Sequence, residues 1–432
     1  MSTTIIHGDC LEELKKLEDN SVDAVVTDPP YGLSNTKPAQ VADVLKAWVT
    51  GDTEAAPTTK GGFMNASWDS FVPPPAVWEE CMRVLKPGGH MAVFAGARTQ
   101  DLMGLSIRLA GFRIKDTLGW IFGSGFPKSM DVSKAIDKAA GAERKVVGSY
   151  DRRSVYDNRN RTSVGAGSSQ CAVGSAEIEL TAPASDAAKQ WSGWGTQIKP
   201  AIEPIILAQK PLDGTVANNV LAHGVGGLNI DACRVGMSDA DREAAKVPQP
   251  AHHHYDKSVY QNSSVGGRNG ATFEPAPAGR FPANVLLDEH AAAEMDEQSG
   301  VLKSGAKLPH HVMKNASDVY GTYGPTTGHN IPADSGGASR FFPVFKYQAK
   351  APKKERPVVE REDGSKIQHP TVKPLTLLEW LVELITPPNG TVLDPFAGSG
   401  TTLEAARNKN FHAIGIEQDA DYIKLIEQRL AA

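Results

Sequence analysis

Four consecutive residues, Asp28-Pro29-Pro30-Tyr31, combine hydrogen-bond acceptors with one aromatic face. The two prolines remove two backbone donors and fix the chain direction, while the carbonyl groups there remain able to accept hydrogen bonds. This arrangement suits an amino group on a planar ring, because acceptors hold its two hydrogens and Tyr31 stacks on the ring. A turn with a capping Asp is an equally good interpretation of these residues alone.

A glycine-rich segment, residues 394–402, indicates a ligand-binding turn between a strand and a helix. Gly398 and Gly400 allow a tight turn and close approach of the backbone to a ligand. Glu417 follows about 20 residues later, where an acid would bind ribose hydroxyls. No Gly-Lys-Ser/Thr follows, so the segment is not a P-loop. The pattern favours a cofactor that contains adenosine over an ordinary strand–helix turn.

Both motifs follow predicted strands within a region where strands alternate with helices. Such alternation predicts a parallel sheet with helices on its faces, whose carboxyl edge binds ligands. The predicted strands are residues 4–7, 23–27, 90–95, 117–122, 204–208, 391–393 and 412–416. The predicted helices are residues 11–17, 77–85, 99–110, 375–385, 403–407 and 420–430.

Three stretches interrupt the alternation. Residues 33–71 are predicted to be a long loop with one helical turn, a length typical of a functional lid or of disorder. Residues 128–195 and 212–339 are polar and rich in glycine, and we interpret both as insertions on an α/β core.

The charge balance is acidic overall but uneven along the chain. The 432 residues include 45 Lys and Arg against 50 Asp and Glu, which alone argues mildly against a nucleic-acid partner. Residues 340–361, however, carry seven basic residues against two acidic ones, and residues 128–161 carry nine against five. This distribution predicts a basic groove on an acidic body, and hence nucleic-acid binding that weakens steeply with salt.

Other classes of protein fit poorly. No apolar run approaches the roughly 18–20 residues of a membrane span, and no basic start followed by an apolar run marks a secretory signal. The four cysteines contain no CxxC pair, which predicts neither a disulfide framework nor a structural zinc site. We therefore expect a cytoplasmic protein with no membrane partner and no metal.

Three motifs together resemble those of the DNA amino-methyltransferases, which use S-adenosylmethionine. They are Asp394-Pro395-Phe396-x-Gly398-x-Gly400-Thr401-Thr402, Asp28-Pro29-Pro30-Tyr31 and His369-Pro370-Thr371-x-Lys373-Pro374. Their order, with the cofactor motif last, resembles the β group, a circular permutation of the usual arrangement. Three further motifs are similar to a phage- and prophage-associated branch: Gly123-Ser124-Gly125-Phe126-Pro127-Lys128-Ser129, Lys199-Pro200-x-x-Glu203-Pro204 and Gly226-Gly227-Leu228-Asn229-Ile230.

The resemblance implies an α/β, Rossmann-like class I methyltransferase fold, with a doubly wound seven-stranded sheet that contains one antiparallel strand. Residues 391–393 would form the central strand, with 414–417 and then 4–7 on one side, and the strand that ends at Asp28 on the other. Residues 205–208 would be the antiparallel strand. The implied domains are 1–127 (catalytic half, with lid 33–71), 128–195 (insertion), 196–211 (core strand), 212–339 (target-recognition insertion) and 340–432 (cofactor-binding half).

The resemblance also implies a site for S-adenosylmethionine. Glu417 would take the ribose hydroxyls, and Asp9 would accept from the adenine amino group, although a helix N-cap is a competing role for Asp9. Lys373 and either threonine of the turn are candidates for the cofactor carboxylate. The cofactor residues are therefore Asp9, Cys10, Lys373, Asp394, Phe396, Gly398, Gly400, Thr401, Thr402 and Glu417.

The implied reaction is direct methyl transfer to an exocyclic amino group of a base extruded from double-stranded DNA. Its catalytic residues would be Asp28, Pro29, Pro30 and Tyr31. Asp28 favours adenine N6, because relatives that act on cytosine N4 more often have Ser there; cytosine N4 is the alternative. RNA or protein glutamine as substrate, and a DNA-binding module without activity, are further alternatives.

Sequence readout is predicted to lie in residues 212–339, with 128–195 contributing. Arg234, Arg268 and Arg280 are candidates for guanine contacts, although phosphate contacts or solvated loops fit them as well. Trp68 either closes the cleft or packs in the lid. The sequence leaves open a homodimer, a restriction partner and the DNA sequence recognised in any restriction–modification context.

Overall fold

The computed structural model describes residues 1–57, 67–123, 129–151, 177–236, 247–248, 272–273, 279–304, 334–345, 356–361 and 363–431. The chain divides into two compact units, Met1–Gly123 with Ile202–Ala432, and Ser124–Ala201. In the part of the chain that the structure describes, no helix is both long and apolar enough to cross a membrane.

The described residues form the following helices: α1 (Cys10–Leu14), α2 (Pro38–Val49), α3 (Pro75–Val84), α4 (Gln100–Leu109), α5 (Val132–Ala139), α6 (Asp186–Gln190), α7 (Val216–His223), α8 (Glu289–Ser299), α9 (Leu375–Ile385), α10 (Thr401–Asn408) and α11 (Ala420–Ala431).

They also form the following strands: β1 (Thr3–His7), β2 (Val22–Thr27), β3 (Leu85–Phe94), β4 (Arg113–Ile121), β5 (Val146–Asp151), β6 (Glu177–Thr181), β7 (Ile202–Gln209), β8 (Val247–Pro248), β9 (Thr272–Phe273), β10 (Val285–Asp288), β11 (Leu302–Ser304), β12 (Asp334–Gly336), β13 (Val344–Phe345), β14 (Val359–Glu360), β15 (Lys366–Ile367), β16 (Thr391–Asp394) and β17 (His412–Glu417).

One sheet of the larger unit has the strand order β1-β17-β16-β2-β3-β7-β4-β10-β13. Strand β7 runs antiparallel to both of its neighbours, and the other adjacent pairs are parallel. The predicted placement of β1, β17, β16 and β2, and of the antiparallel β7, is therefore confirmed. The first and last segments of the chain meet in one sheet, as a circularly permuted order requires.

Among the described residues the sheet has nine strands, so the expectation of seven was too low. The two additional strands, β10 and β13, extend it beyond β4, and both come from chain that follows the antiparallel strand. The short apolar run of β10 covers the edge of β4, which would otherwise present unpaired backbone groups. Within residues 212–339, strand β10 thus belongs to the main sheet, while a role of 212–339 in target recognition stays a prediction.

Apolar side chains on both faces of the sheet form its core. Every residue of β2 is buried, as expected for a strand with helices on both sides. Ala24 and Val26 face a cluster that includes Leu377 and Leu381 of α9. Val25 faces the opposite cluster, which includes Trp78 of α3. This double-sided packing fixes where β2 ends, and thereby positions the turn that follows it.

The segment 33–71 contains a twelve-residue helix, α2, so the prediction of a single helical turn was wrong. Val44 and Trp48 lie one turn apart on it and are buried, and the Trp48 ring lies 5.9 Å from the ring of Phe71. The apolar residues Val41, Val44, Leu45 and Trp48 follow helical spacing, so the pattern was present in the sequence and was overlooked.

In the described part of the smaller unit, the buried carboxylate of Asp137 on α5 holds several segments together. It accepts hydrogen bonds from the backbone of Ala184 (2.9 Å) and Ser185 (3.0 Å) and pairs with Arg144 at 2.6 Å. The backbone donor of Ala184 is the largest of several contacts that lower the pKa of Asp137 to about 2. The carboxylate therefore stays ionised and ties α5 to the start of α6.

Candidate active site

The turn after β2 is held in place by backbone and side-chain contacts on several sides. The buried carboxylate of Asp69 accepts from the backbone N–H groups of Tyr31 (2.7 Å) and Gly32 (2.9 Å). The Thr99 hydroxyl donates to the Tyr31 carbonyl at 2.6 Å. Gly32 has a φ of +67°, and a Cβ there would approach the Val72 nitrogen to 2.7 Å, so the turn requires glycine. These contacts fix Asp28 and Tyr31 at the carboxyl edge of the sheet.

Four polar side chains meet at this edge. The Tyr31 hydroxyl donates to Asp28 Oδ1 at 2.8 Å. The Lys373 ammonium lies 3.0 Å from Asp28 Oδ2, 3.0 Å from the Tyr31 hydroxyl and 3.2 Å from Glu203 Oε2. Asp28, Tyr31, Glu203 and Lys373 are called the acidic cluster below, because two carboxylates share one ammonium.

The ionisation of the cluster follows from burial and charge. Burial, together with the charge of Asp28, raises the pKa of Tyr31 well above its ordinary value, so the phenol keeps its proton and donates. Burial disfavours the charged form of Lys373, but the carboxylates of Asp28 and Glu203 outweigh this and raise its pKa. The cluster thus contains an ammonium at neutral pH.

Lys373 was predicted as a candidate for the cofactor carboxylate, and the structure places its ammonium in the acidic cluster. Glu203 was not predicted as a site residue, although it lies in the quoted motif Lys199-Pro200-x-x-Glu203-Pro204. Because β7 is antiparallel, its first residues lie at the carboxyl edge of the parallel strands, which brings Glu203 beside Asp28. That topology was the signal that could have identified it.

A second group of buried side chains follows β16. Asp394 Oδ1 accepts from the Thr27 hydroxyl at 2.7 Å and from the Phe396 backbone at 3.0 Å. Burial raises the pKa of Asp394 to about 6, although hydrogen bonds from Thr27 and Thr402 oppose the shift. Thr401 and Thr402 are both buried at the start of α10. The structure therefore brings Asp394 and Thr402 together and links them to β2 through Thr27.

The turn between β16 and α10 contacts the carboxylate at the end of β17. Glu417 Oε2 accepts from the Gly398 backbone at 2.7 Å, and Oε1 accepts from the Asp419 backbone at 2.8 Å. Burial raises the pKa of Glu417 from 4.5 to about 7. Gly398 and Gly400 have φ values of +53° and +80°, which L side chains rarely adopt. The two predicted glycines and Glu417 thus form one structure.

Asp9 caps α1: its Oδ1 accepts from the backbone of Leu11 (3.0 Å) and Glu12 (3.2 Å). The N-cap role that competed in the sequence is therefore present in the fold, and the role toward an adenine amino group stays a prediction. The neighbouring Cys10 is mostly buried, which raises its pKa to about 12, so this thiol is not a nucleophile at neutral pH.

The structure describes three of the four site candidates that were predicted outside these motifs. Trp68 is 42% exposed, which argues against a core position, and its closing of a cleft stays a prediction. Arg234 pairs with Asp231 at 2.8 Å, and Arg280 lies over the Phe341 ring at 5.5 Å. Arg268 lies outside the described residues. Readout of DNA by these arginines stays a prediction.

Comparison with known proteins identifies relatives along the whole chain. The type II methyltransferase M.HindIII of Haemophilus influenzae is 22% identical over 446 aligned positions, which cover 100% of this chain and 96% of that protein. A structure of an M1.HpyAVI–SAM complex is 15% identical, with a TM-score of 0.36, and covers 99% of this chain and 98% of its own.

The cytosine-N4-specific PvuII DNA methyltransferase is 12% identical, with a TM-score of 0.42, and covers 99% of this chain and 86% of its own. A family model described as DNA methylase, for N6 and N4 methyltransferases, matches residues 182–428. Since that match spans more than half of the chain, the protein belongs to this family of N6/N4 DNA methylases.

Proposed function

We propose that this protein transfers a methyl group from S-adenosylmethionine to the exocyclic N6 of adenine in double-stranded DNA. The observation that carries the proposal is the geometry at Asp28 and Tyr31: a fixed carboxylate and an aromatic ring at the carboxyl edge of the sheet. The target base is buried in a duplex, so it must rotate out of the stack, at roughly a few kcal/mol, to reach this edge.

The residues after β16 and β17 fit the methyl donor. Asp394 is buried and Glu417 is partly buried, and both have raised pKa values. Such groups gain most from new hydroxyl donors or from a nearby positive charge. S-adenosylmethionine brings both, with its ribose hydroxyls and its cationic sulfonium, and when bound it supplies the electrophilic methyl group. Phe396 is half-buried beside them and offers an apolar surface. Glu417 would hold the ribose, and the glycine turn would let the backbone approach.

Asp28 and the Pro29 carbonyl would accept the two N–H groups of the target. The lone pair of an aromatic amino group is delocalised into its ring, and these hydrogen bonds localise it toward the methyl donor. Tyr31 would stack on the base. Much of the acceleration would come from positioning, which is worth effective molarities of about 10⁵ M or more. No covalent enzyme intermediate is needed.

Mass spectrometry of nucleosides tests the choice of base. DNA methylated by the purified protein is digested, and N6-methyladenine is the expected product. Recovery of N4-methylcytosine alone would contradict adenine and support the alternative suggested by the variable first residue of the motif. Lys409→Met serves as a control variant that should give the same product as wild type. It removes a lysine that pairs with Glu383 at 2.5 Å, beyond the C-terminal end of α10 and away from the carboxyl edge.

The partner under this proposal is double-stranded DNA in the cytoplasm of a bacterium or a phage-infected cell. The uneven charge supports it, because residues 340–361 carry seven basic residues against two acidic ones. Binding that depends on phosphate contacts should weaken steeply as salt rises. A titration of fluorescent duplex from about 50 to 200 mM salt should therefore show a marked loss of affinity.

A further inference from the structure

The Lys373 ammonium lies where the proposed function puts the target nitrogen. It is 3.0 Å from Asp28 Oδ2 and its Nζ lies 5.2 Å from the centre of the Tyr31 ring, the surface on which the base would stack. The Lys373 side chain is 10% exposed, and those of Asp28 and Glu203 are 22% and 27% exposed. The place beside Asp28 is therefore built to hold a positively charged nitrogen.

Methyl transfer creates such a nitrogen. The amino nitrogen uses its lone pair to form the new N–C bond, while the pair of the breaking S–C bond stays on sulfur. The sulfonium becomes a neutral thioether, and the positive charge moves to the nitrogen. Groups that are already oriented around a cationic nitrogen lower the barrier of this step, because they need no reorganisation as the charge develops.

We propose that Glu203 is a second catalytic carboxylate that faces the target amino group together with Asp28, and that Lys373 occupies their shared place until the base enters. This assignment rests on the proposed function. When the base enters, the Lys373 ammonium moves aside, and its flexible four-carbon stem permits this. Glu203 then shares with Asp28 one N–H of the amino group, while the Pro29 carbonyl accepts the other. Glu203 takes the proton that the cationic nitrogen must lose and passes it to solvent.

The surroundings of Glu203 support replacement of the Lys373 ammonium by the target amino group. Its Oε2 is buried, and its ionic partner is the Lys373 ammonium at 3.2 Å. A buried carboxylate that loses its counterion needs a replacement donor or cation. The target amino group supplies N–H donors on entry and a positive charge during transfer. The Glu203 carboxylate therefore has a donor or a cation beside it at every stage.

The first test measures single-turnover methyl transfer to duplex DNA by wild type, Glu203→Gln, Glu203→Asp and Lys409→Met, with donor affinity measured separately. Glu203→Gln should slow transfer at least tenfold while donor affinity stays within twofold. Glu203→Asp should recover part of the rate, and Lys409→Met should match wild type. A purely structural role for Glu203 would instead lower donor affinity, melting temperature and rate together.

The second test follows base entry by the fluorescence of 2-aminopurine at the target position. Because this analogue lacks the 6-amino group, Glu203→Gln should leave its extrusion unchanged, whereas Lys373→Met should increase it by removing the occupant. Reduced extrusion in Lys373→Met would overturn the displacement of Lys373.

The outcomes also separate this assignment from the proposed function. An active wild type with equally fast transfer by Glu203→Gln overturns the role of Glu203 and leaves the proposed function intact. A wild type that transfers no methyl group to DNA of any sequence overturns both. Slow Glu203→Gln with unchanged donor binding supports both.

Discussion

The buried and partly buried acids of the two units differ in how their charge is satisfied. In the smaller unit, hydrogen bonds from Ala184 and Ser185 and a salt bridge with Arg144 lower the pKa of Asp137 to about 2. At the edge of the large sheet, burial dominates and raises the pKa of Asp394 to about 6 and of Glu417 to about 7. A fully satisfied carboxylate stabilises a fold, whereas an incompletely satisfied one retains free energy of interaction for a ligand.

The largest expected effect is the loss of chemistry in Asp28→Ala. This change removes the acceptor of the Tyr31 hydroxyl and one of the two carboxylates at Lys373. We expect the single-turnover rate of methyl transfer to fall about a hundredfold or more, the scale seen when an aligned polar group is removed from an active site. Thermal unfolding should change little, since Lys373 keeps Glu203. A rate within threefold of wild type would show that Asp28 is not a catalytic residue.

Asp137→Ala should have the opposite profile, with a large effect on folding. It leaves Arg144 and the backbone donors of Ala184 and Ser185 without their shared acceptor. We expect protease sensitivity to increase in residues 129–201, as measured by limited proteolysis with mass spectrometry. Asp137→Asn, which keeps an acceptor oxygen, should be less sensitive to proteolysis than Asp137→Ala. Proteolysis equal to that of wild type would show that this carboxylate does not organise the unit.

The pH dependence of stability should differ in sign between the two regions. Between pH 4.5 and 7, folded Glu417 holds a proton that the unfolded chain has released, so its contribution to stability falls as pH rises. Asp137 contributes stability above about pH 4 that is lost as pH falls toward 2. In urea unfolding, the contribution of Glu417 to the free energy of unfolding should decline from pH 5 to pH 7. Glu417→Gln should remove on the order of 1 to 2 kcal/mol of that decline. An unchanged pH profile would contradict this.

The smallest effect is expected for Asp9→Ala, which removes the N-cap of α1. The lost hydrogen bonds to Leu11 and Glu12 should cost about 1 kcal/mol in the free energy of unfolding. Asp9→Ser keeps a capping oxygen without the charge and should restore most of that stability. If the donor affinity also falls in Asp9→Ala and is not restored by Asp9→Ser, the charge of Asp9 takes part in donor binding as well.

The sequence predicted the central part of the sheet because strand, turn and helix signals coincide there. β16, the glycine turn and α10 follow in sequence, and β2 is a short apolar run that ends at two prolines. The contacts that the sequence did not predict join segments that are far apart in the chain. Glu203 reaches Asp28 only because β7 runs antiparallel, and the destination of the Lys373 side chain depends on the two carboxylates it meets.

The added strands and the missed helix have different explanations. β10 and β13 are short, and their pairing with β4 is set by the open edge of the sheet, which no local pattern reveals. α2, by contrast, has a local pattern, because Val41, Val44, Leu45 and Trp48 follow helical spacing, and it was overlooked. Local patterns therefore identified the turns that carry the motifs, and tertiary contacts determined which side chains joined them.

Modification mapping of DNA by long-read sequencing tests the central claim most directly, in a host that expresses either wild type or Asp28→Ala. We predict N6-methyladenine at one defined sequence in the wild-type sample and none there in the variant, with both proteins present at equal levels. N4-methylcytosine as the only new modification, or identical unmodified DNA in both samples, would contradict the account.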